Sequence, residues 1–166
     1  MPEKQTLERA REDAREGKSP STQAGEFVKE EMDHIREGKH GARSTKQAIA
    51  IGLSKARRAG VKLAPPKKGI ASAETRRQAE RDLNKGRSPA RKKSARRSRA
   101  VEGALQREGH SAASHSALSK QARQAARKRG SAARKQAARK AVRTKGPAEL
   151  SQAARKAART RQRRAA

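Results

Sequence analysis

Apolar residues are sparse along this chain, and where they recur they have the spacing of a helix. In the segment QAGEFVKEEMDHIRE, Ala24, Val28 and Met32 stand four residues apart, and Phe27 and Ile35 stand eight apart. This spacing places each set on one side of an α-helix. The sequence SPST precedes the segment and a glycine follows it. We therefore predict an amphipathic helix that ends at that glycine.

Isoleucine and leucine cluster in one stretch, STKQAIAIGLSKARRAG. Ser44 with Gln47 three residues later resembles a capping box, and Gly60 suits the position after the last helical residue. These signals predict a helix from Ser44 to Gly60. Its apolar face is predicted to consist of Ile49, Leu53 and Ala56, flanked by Ala48, Ile51 and Ala59. Its opposite face is predicted to offer the cations Lys46, Lys55, Arg57 and Arg58.

Glycine and proline divide the rest of the chain into further short helices. Helices are predicted at about 3–16, at 72–84 and between glycines 109, 130 and 146, with a break at prolines 65 and 66. The predicted organisation has four parts: a mixed-charge helix at 1–20, a small helical motif domain at 21–64, a basic linker with one helix at 65–99, and a tail rich in Ala, Lys and Arg at 100–166.

Composition limits how compact this helical chain can be. Leu, Ile, Val and Phe total 16 of 166 residues, about 10%, whereas less than roughly 20% is typical of chains that cannot form a globular core. Alanine makes up most of the remaining apolar content and favours helix while burying little area. The fold class expected is therefore mostly α: a small, marginal helical unit with an extended, partly disordered basic tail and no large core.

Charge is distributed unevenly. The chain has a net charge of +29, yet residues 1–40 contain 8 Lys/Arg and 10 Asp/Glu, so the excess lies after residue 40. The tail repeats the motif AARK, which at four-residue spacing aligns cations in stripes on a helix. Like charges at this spacing oppose helix formation. We therefore expect partly unfolded segments that become helical when phosphates neutralise them.

This charge favours a polyanionic partner, and duplex DNA is the partner we predict. Phe27, the only aromatic residue, lies in residues 1–40, hereafter the acidic head. Aromatic side chains on which single-stranded bases could stack are therefore missing from the basic part of the chain. The sequence SPARKK at 88–93 is similar to linker-histone tail motifs, although a plain solvated linker is the commoner case. The predicted DNA-binding residues are Lys46, Lys55, Arg57, Arg58, Arg91, Lys92, Lys93, Arg96, Arg97, Arg127, Lys128, Arg129, Arg134, Lys135, Arg139, Lys140, Arg143, Arg155, Lys156, Arg159 and Arg163.

Catalytic and metal sites are not predicted. The histidine pairs are spaced by six residues, His34 with His40, and by five, His110 with His115, so neither pair stacks on a helix face, and no cysteine supports them. The acids Glu30, Glu31, Asp33 and Glu37 are expected on a solvated helix face. We therefore expect no enzyme activity and no cofactor, metal or small-molecule substrate. No window is apolar enough to span a membrane.

The stretch REGKHGARSTKQAIAIGLSKARRAGVKL at 36–63 resembles the signature of an uncharacterised family of small basic bacterial proteins, often labelled DNA-binding or plasmid-stabilisation proteins. The resemblance covers roughly the first 65 residues, and the tail is similar in style to histone-like and linker-histone tails. Membership would imply a bacterial cytoplasm or nucleoid and no established activity. No catalytic residue carries over from the family.

The predicted function is sequence-independent binding and compaction of double-stranded DNA. Two alternatives stay open. An RNA- or ribosome-associated protein would carry the same charge. A protein-interaction adaptor would recruit a partner through its acidic N-terminal head and use the tail as a basic tether.

Overall fold

The computed structural model describes residues 2–88 and 94–165, and within these residues the chain is α-helical with short connections and no β-strand. The mostly α fold class is therefore confirmed. The helices are α1 (Lys4–Arg15), α2 (Pro20–Arg36), α3 (Thr45–Arg58), α4 (Ala73–Arg87), α5 (Ala95–Gln106), α6 (His115–Lys128) and α7 (Gly130–Ala165), with a 3-10 turn at Ser111–Ala113.

The predicted ends of α3 are confirmed at both termini. The Ser44 hydroxyl accepts a hydrogen bond from the Gln47 backbone N–H at 3.2 Å. At the other end Gly60 has a φ of 97°, a conformation that glycine adopts without strain. The N–H of Gly60 donates to Arg57 and that of Val61 donates to Ala56, which is the pair of bonds of a Schellman cap. Local chemistry therefore sets where this helix begins and ends.

The helix predicted at 72–84 begins as expected but runs further than predicted. Ser72 caps α4, and the helix passes through Gly86 to end at Arg87. A Cβ at position 86 would collide with the Arg57 carbonyl oxygen of α3. Gly86 therefore allows α4 to pack closely against α3 and does not end a helix. The sequence alone did not distinguish these two roles of a glycine.

The basic linker predicted at 65–99 is also shorter than expected. Ser94 caps α5, and the helix includes residues 95–99, so the linker ends before them. Most of the SPARKK motif, residues 89–93, lies outside the described residues.

Residues up to Gln121 form one compact unit, hereafter the compact unit. One apolar cluster joins α1 to α2 and α3 and is centred on Phe27, Ala24 and Ala56. A second lies at the other end of α2 and α3 and includes Ile35 and Ala48. The amphipathic face predicted for α2 is thus confirmed, since its Ala24, Phe27, Met32 and Ile35 are all buried.

The buried face of α3 is formed by smaller residues than predicted. Ala48, Gly52 and Ala56 are buried, whereas Ile49 and Leu53 are only partly buried at its margins. A Cβ on Gly52 would lie 2.7 Å from the Val28 Cα. The two helix backbones are therefore close, and small side chains occupy the centre because larger ones do not fit there.

A segment from the predicted tail packs against this unit. Ala112 and Ala113 join the second apolar cluster, and the buried Thr45 hydroxyl donates to the Ala112 carbonyl at 2.7 Å. The Gly41 N–H donates to the Leu105 carbonyl at 2.9 Å. A Cβ on Gly41 would collide with the Glu108 backbone. The compact unit therefore extends well beyond the 21–64 motif domain, and it includes α1 at one end and residues 105–121 at the other.

The remaining residues form a second unit, 122–165, hereafter the basic tail. It consists of the end of α6 and of α7, which is interrupted at Gly146 with φ 72° and ψ 167°. The breaks predicted at Gly130 and Gly146 are confirmed by their positive φ angles. The tail is otherwise helical, which differs from the partial disorder that the repulsion between its cations led us to expect.

Candidate nucleic-acid interface

Lys55, a predicted DNA contact on α3, is instead part of a buried ion-pair cluster. Its ammonium lies 2.8 Å from Glu31 and 3.3 Å from Glu30, whose side chains are 1% and 2% exposed. Carboxylates so deeply buried need a cation, because desolvation of an unpaired charge is costly. Lys55 therefore supports the packing of α3 on α2, and we remove it from the DNA-binding set.

Arg57, a second predicted DNA contact on α3, is also used within the fold. It is 7% exposed, and its guanidinium donates to the backbone carbonyls of Leu63 at 3.1 Å and Ala64 at 3.4 Å. Burial lowers the pKa of Arg57, and the nearby charge of Asp82 acts in the opposite direction. The side chain holds the segment after α3 against the helix and is not available to phosphate.

Arg58 connects α3 to α4. Its Nε donates to the Asp82 carboxylate at 2.8 Å. That carboxylate is 2% exposed and also accepts from Ser54 at 2.7 Å and Gln78 at 3.0 Å. Although Arg58 itself is exposed, its charge is partly used within the fold.

Lys46 is the one member of the α3 group that is exposed and has no ion pair among the described residues. The side-chain oxygen of its neighbour Gln47 accepts a hydrogen bond from the Arg43 N–H at 2.8 Å. Arg96 and Arg97 are exposed on α5. Arg91, Lys92 and Lys93 lie outside the described residues.

In the basic tail, every predicted cation is exposed. The Nε of Arg134 donates to the Gly130 carbonyl at 3.2 Å, and Lys145, which was not in the predicted set, faces Glu149 at 3.7 Å. The exposed predicted residues are Arg127, Lys128, Arg129, Arg134, Lys135, Arg139, Lys140, Arg143, Arg155, Lys156, Arg159 and Arg163.

The tail helix arranges these cations in two matching rows, one on each side of the Gly146 break. The first stripe is Lys135, Arg139 and Arg143, and the second stripe is Arg155, Arg159 and Arg163. At about 100° per residue, each stripe covers roughly 80° of the helix surface and about 12 Å of its length. Duplex DNA carries about seven phosphate charges over that length. Each stripe is therefore a compact cationic surface that matches a short segment of the DNA backbone in length.

The local electrostatics of the two units differ because the acidic residues are distributed unequally between them. Of the 16 Asp and Glu residues, Glu149 alone lies after residue 121, whereas 16 of the 45 Lys and Arg residues do. In the compact unit many acids have cationic partners close by. Lys18, for example, lies 2.8 Å from Asp13 and 2.6 Å from Glu16, and hydrogen bonds to these carboxylates raise its pKa.

The acidic face of α2 is less solvated than predicted. Glu30 and Glu31 are buried, and Glu30 also accepts a hydrogen bond from the Glu3 backbone N–H at 3.2 Å. Asp33 pairs with Arg36 at 3.3 Å. The head therefore uses much of its negative charge internally, which leaves less of it for the protein partner that the adaptor alternative requires.

The histidines of this region also lie beside carboxylates. His40 Nε2 lies 2.7 Å from Glu31, and His34 Nε2 lies 2.8 Å from Glu3. The hydrogen bond from His34 is the main cause of a lowered pKa at Glu3, and Lys39 adds to it. Helical spacing did not reveal this group, because His40 follows α2 and the chain turns back after Gly38. Gly38 was the feature of the sequence that could have indicated this turn.

None of the helices in the described part of the chain is both long and apolar enough to cross a membrane. The model of a family of unknown function (DUF6496) matches residues 15–68, which is 54 of the 166 residues. The matched range contains α2, α3 and the whole stretch 36–63. No match was found among curated proteins or among solved structures.

Proposed function

We propose that this protein binds and compacts double-stranded DNA without sequence specificity, through the cations of its basic tail. The observation that carries this proposal is the exposure of the two stripes in a segment with a single acid, Glu149. In the compact unit, by contrast, cations such as Lys55 are already paired. The tail is therefore where a polyanion gains most from binding.

The driving force is the release of counterions condensed on DNA. Each phosphate neutralised by Lys or Arg contributes about −0.9 to the slope of log affinity against log salt concentration. If the six residues of the two stripes each engage one phosphate, the slope is about −5. Such contacts carry no sequence information, because they are made to the backbone and not to base edges.

Duplex DNA suits this surface better than single-stranded nucleic acid. Phe27 is the only aromatic residue in the chain, and it is fully buried in the compact unit. Proteins that bind single strands stack bases on exposed aromatic side chains. A purely cationic surface matches the regular phosphate arrays of a duplex instead.

We further propose that binding and helix formation in the tail are coupled. Within each stripe, cations four residues apart repel each other and oppose the helix by a few tenths of a kcal/mol per pair. Phosphates between them would remove that penalty. The helical content of the free tail should therefore be lower than that of the DNA-bound tail. In this proposal the protein consists of a small folded unit and a tail that becomes fully helical on binding DNA.

In this proposal the compact unit supplies a folded body, with Lys46, Arg96 and Arg97 as additional phosphate contacts. The protein would act in the nucleoid of a bacterial cytoplasm. No catalytic step is assigned to it.

The test is a salt series of duplex DNA affinities. We expect the variant with Arg155→Gln, Arg159→Gln and Arg163→Gln to bind on the order of 100-fold more weakly at 150 mM salt and to reduce the magnitude of the slope by about 2.7. A matched control removes three exposed cations from α1 through Lys4→Gln, Arg11→Gln and Arg15→Gln. It has the same net charge and should retain most of the affinity and slope.

Equal losses in the two variants would contradict an interface in the tail. Competition with structured RNA separates the alternatives, since preference for RNA at 150 mM salt would support the RNA-associated protein. A slope near zero would overturn binding through phosphate contacts. Recovery of one abundant protein by the acidic head in a cell extract would then support the adaptor.

A further inference from the structure

Three potential metal ligands converge where α2 ends. Glu31 and His34 are three residues apart and lie on the same side of the helix. Gly38, with a φ of 76°, reverses the chain after α2 and brings His40 back beside them. One potential ligand atom from each of these three side chains lies within 4.8 Å of the other two.

This group differs from the usual surface cluster of acids in its burial. The Glu31 side chain is 1% exposed, and the two histidine side chains are each 14% exposed. The two imidazole rings are perpendicular, with centroids 6.0 Å apart. The ligands are therefore held by packing before any ion arrives, which lowers the cost of organising a site.

Both histidines also have the outer partners that metal-binding imidazoles need. The Nδ1 of His40 lies 3.0 Å from the Gly41 carbonyl oxygen, which can only accept, so this nitrogen is the donor. The Nε2 of His34 donates to the Glu3 carboxylate at 2.8 Å. In known sites the second ring N–H of a ligating histidine is oriented by a backbone carbonyl or a carboxylate in this way.

Glu31 contributes both of its carboxylate oxygens to this buried region. Its Oε1 lies 2.7 Å from His40 Nε2. The other oxygen of Glu31 is buried without a hydrogen bond, although the Lys55 ammonium lies 2.8 Å away. A cation bound by His40 Nε2 and this carboxylate would take the place of the contact that now joins them.

We propose that Glu31, His34 and His40 bind Zn²⁺. Imidazole and carboxylate ligands suit this ion, and a set of two histidines and one glutamate with a further open position is an established zinc arrangement. Tetrahedral ligands at about 2.0–2.2 Å from the metal are roughly 3.4 Å apart. The pair now at 2.7 Å must separate slightly, the third ligand atom lies within 4.8 Å of both, and water completes the coordination.

The bound ion would join the end of α2 to the turn that leads into α3. Because an unfolded chain does not hold these ligands together, Zn²⁺ would bind the folded state preferentially and stabilise it. This role is independent of the proposed DNA binding by the tail.

The first experiment uses the unmodified full chain, which has four histidines. Zn²⁺ is titrated without DNA while the imidazole proton resonances are followed by nuclear magnetic resonance. We expect the His34 and His40 resonances to change and to saturate at one equivalent, while those of His110 and His115 remain unchanged. Equal response of all four rings, or no response at His34 and His40, would overturn the proposal.

The second experiment measures melting temperature with and without Zn²⁺. At a free Zn²⁺ concentration 100 times the Kd, the unmodified protein should melt roughly 5–10 °C higher. The variant with His34→Asn and His40→Asn should show no such rise. The control variant with His110→Asn and His115→Asn loses the same number of imidazoles and should retain the whole rise. Loss of the rise in both variants would indicate nonspecific binding and contradict the site, and if the first variant fails to fold, the resonance titration decides alone.

Discussion

The compact unit and the basic tail are both rich in Lys and Arg but use them differently. In the compact unit, Lys55 is fixed between Glu30 and Glu31, and Arg57 donates to backbone carbonyls. In the tail, Arg155 and its stripe are exposed, and no carboxylate lies within the same stretch of helix. The difference teaches that a cation's role depends on the acceptors that the fold brings within its reach, and not on the residue type.

Alanine shows the same contrast. Ala48, Ala56 and Ala113 are fully buried in the compact unit, where small side chains allow backbones to approach closely. Ala137 and Ala138 of the tail are exposed and contribute helix propensity alone. For alanine, packing therefore distinguishes the two units, and variants at matched positions can test that distinction.

The largest effect is expected at the buried ion pairs. Lys55→Met keeps the aliphatic stem but leaves the Glu30 and Glu31 carboxylates without their cation, which should destabilise the protein by about 3 kcal/mol. Lys46→Met, on the exposed side of the same helix, should change the free energy of unfolding by less than about 0.5 kcal/mol. Urea unfolding measures both, and similar values for the two variants would contradict a structural role for Lys55.

A smaller loss is expected from filling the contact between α2 and α3. Gly52→Ala places a methyl group 2.7 Å from the Val28 Cα and should cost about 2 kcal/mol, because neither backbone can move away freely. Gly25→Ala, at a helical position with nothing within 4 Å of its Cβ, should instead stabilise by about 0.5–1 kcal/mol. Thermal unfolding that moves in the same direction for both would exclude the close helix approach.

The docking of the 105–113 segment can be tested through one hydroxyl. Thr45→Val removes the buried hydrogen bond to the Ala112 carbonyl and should cost about 1 kcal/mol. Thr160 also donates to a backbone carbonyl, that of Lys156 at 2.9 Å, but at an exposed site. Thr160→Val should leave the unfolding of the compact unit unchanged. Equal effects would mean that Ala112 is not docked.

The smallest effect on stability is expected from the tail. The variant with Arg155→Gln, Arg159→Gln and Arg163→Gln should change the free energy of unfolding of the compact unit by less than about 0.5 kcal/mol, although it weakens DNA binding strongly. Calorimetry of the free protein measures this. A large loss of stability would show that the second stripe is needed by the folded unit, and the contrast between the two regions would then fail.

Much of the local structure was predictable from the sequence. The Ser44 cap and the Gly60 Schellman cap were identified, as was the apolar face of α2, because each depends on residues within one or two turns. Gly86 was misinterpreted, since a glycine that ends a helix and one that permits close packing look alike along the chain. The exposed tail cations followed directly from the AARK repeats, whose arginines have no acid nearby.

The candidate sites were predicted less well where they depend on distant residues. Lys55 and Arg57 were predicted on one face with Lys46, although nine residues separate Lys46 from Lys55 and place them about 180° apart on a helix. Their partners come from α2 and from the segment after α3. The proximity of His34 to His40 depends on the turn at Gly38, which spacing on a straight helix does not represent.

The sequence by itself determined the helices, their caps and the excess of positive charge, because these depend on near neighbours and on composition. Only the tertiary structure decided which cations of α3 are buried, and which glycines and alanines allow helices to approach. It also brought Glu31, His34 and His40 together. The physical reason is that charge pairing and the close approach of helices are properties of contacts between elements, and the spacing of residues within one helix does not specify which element it contacts.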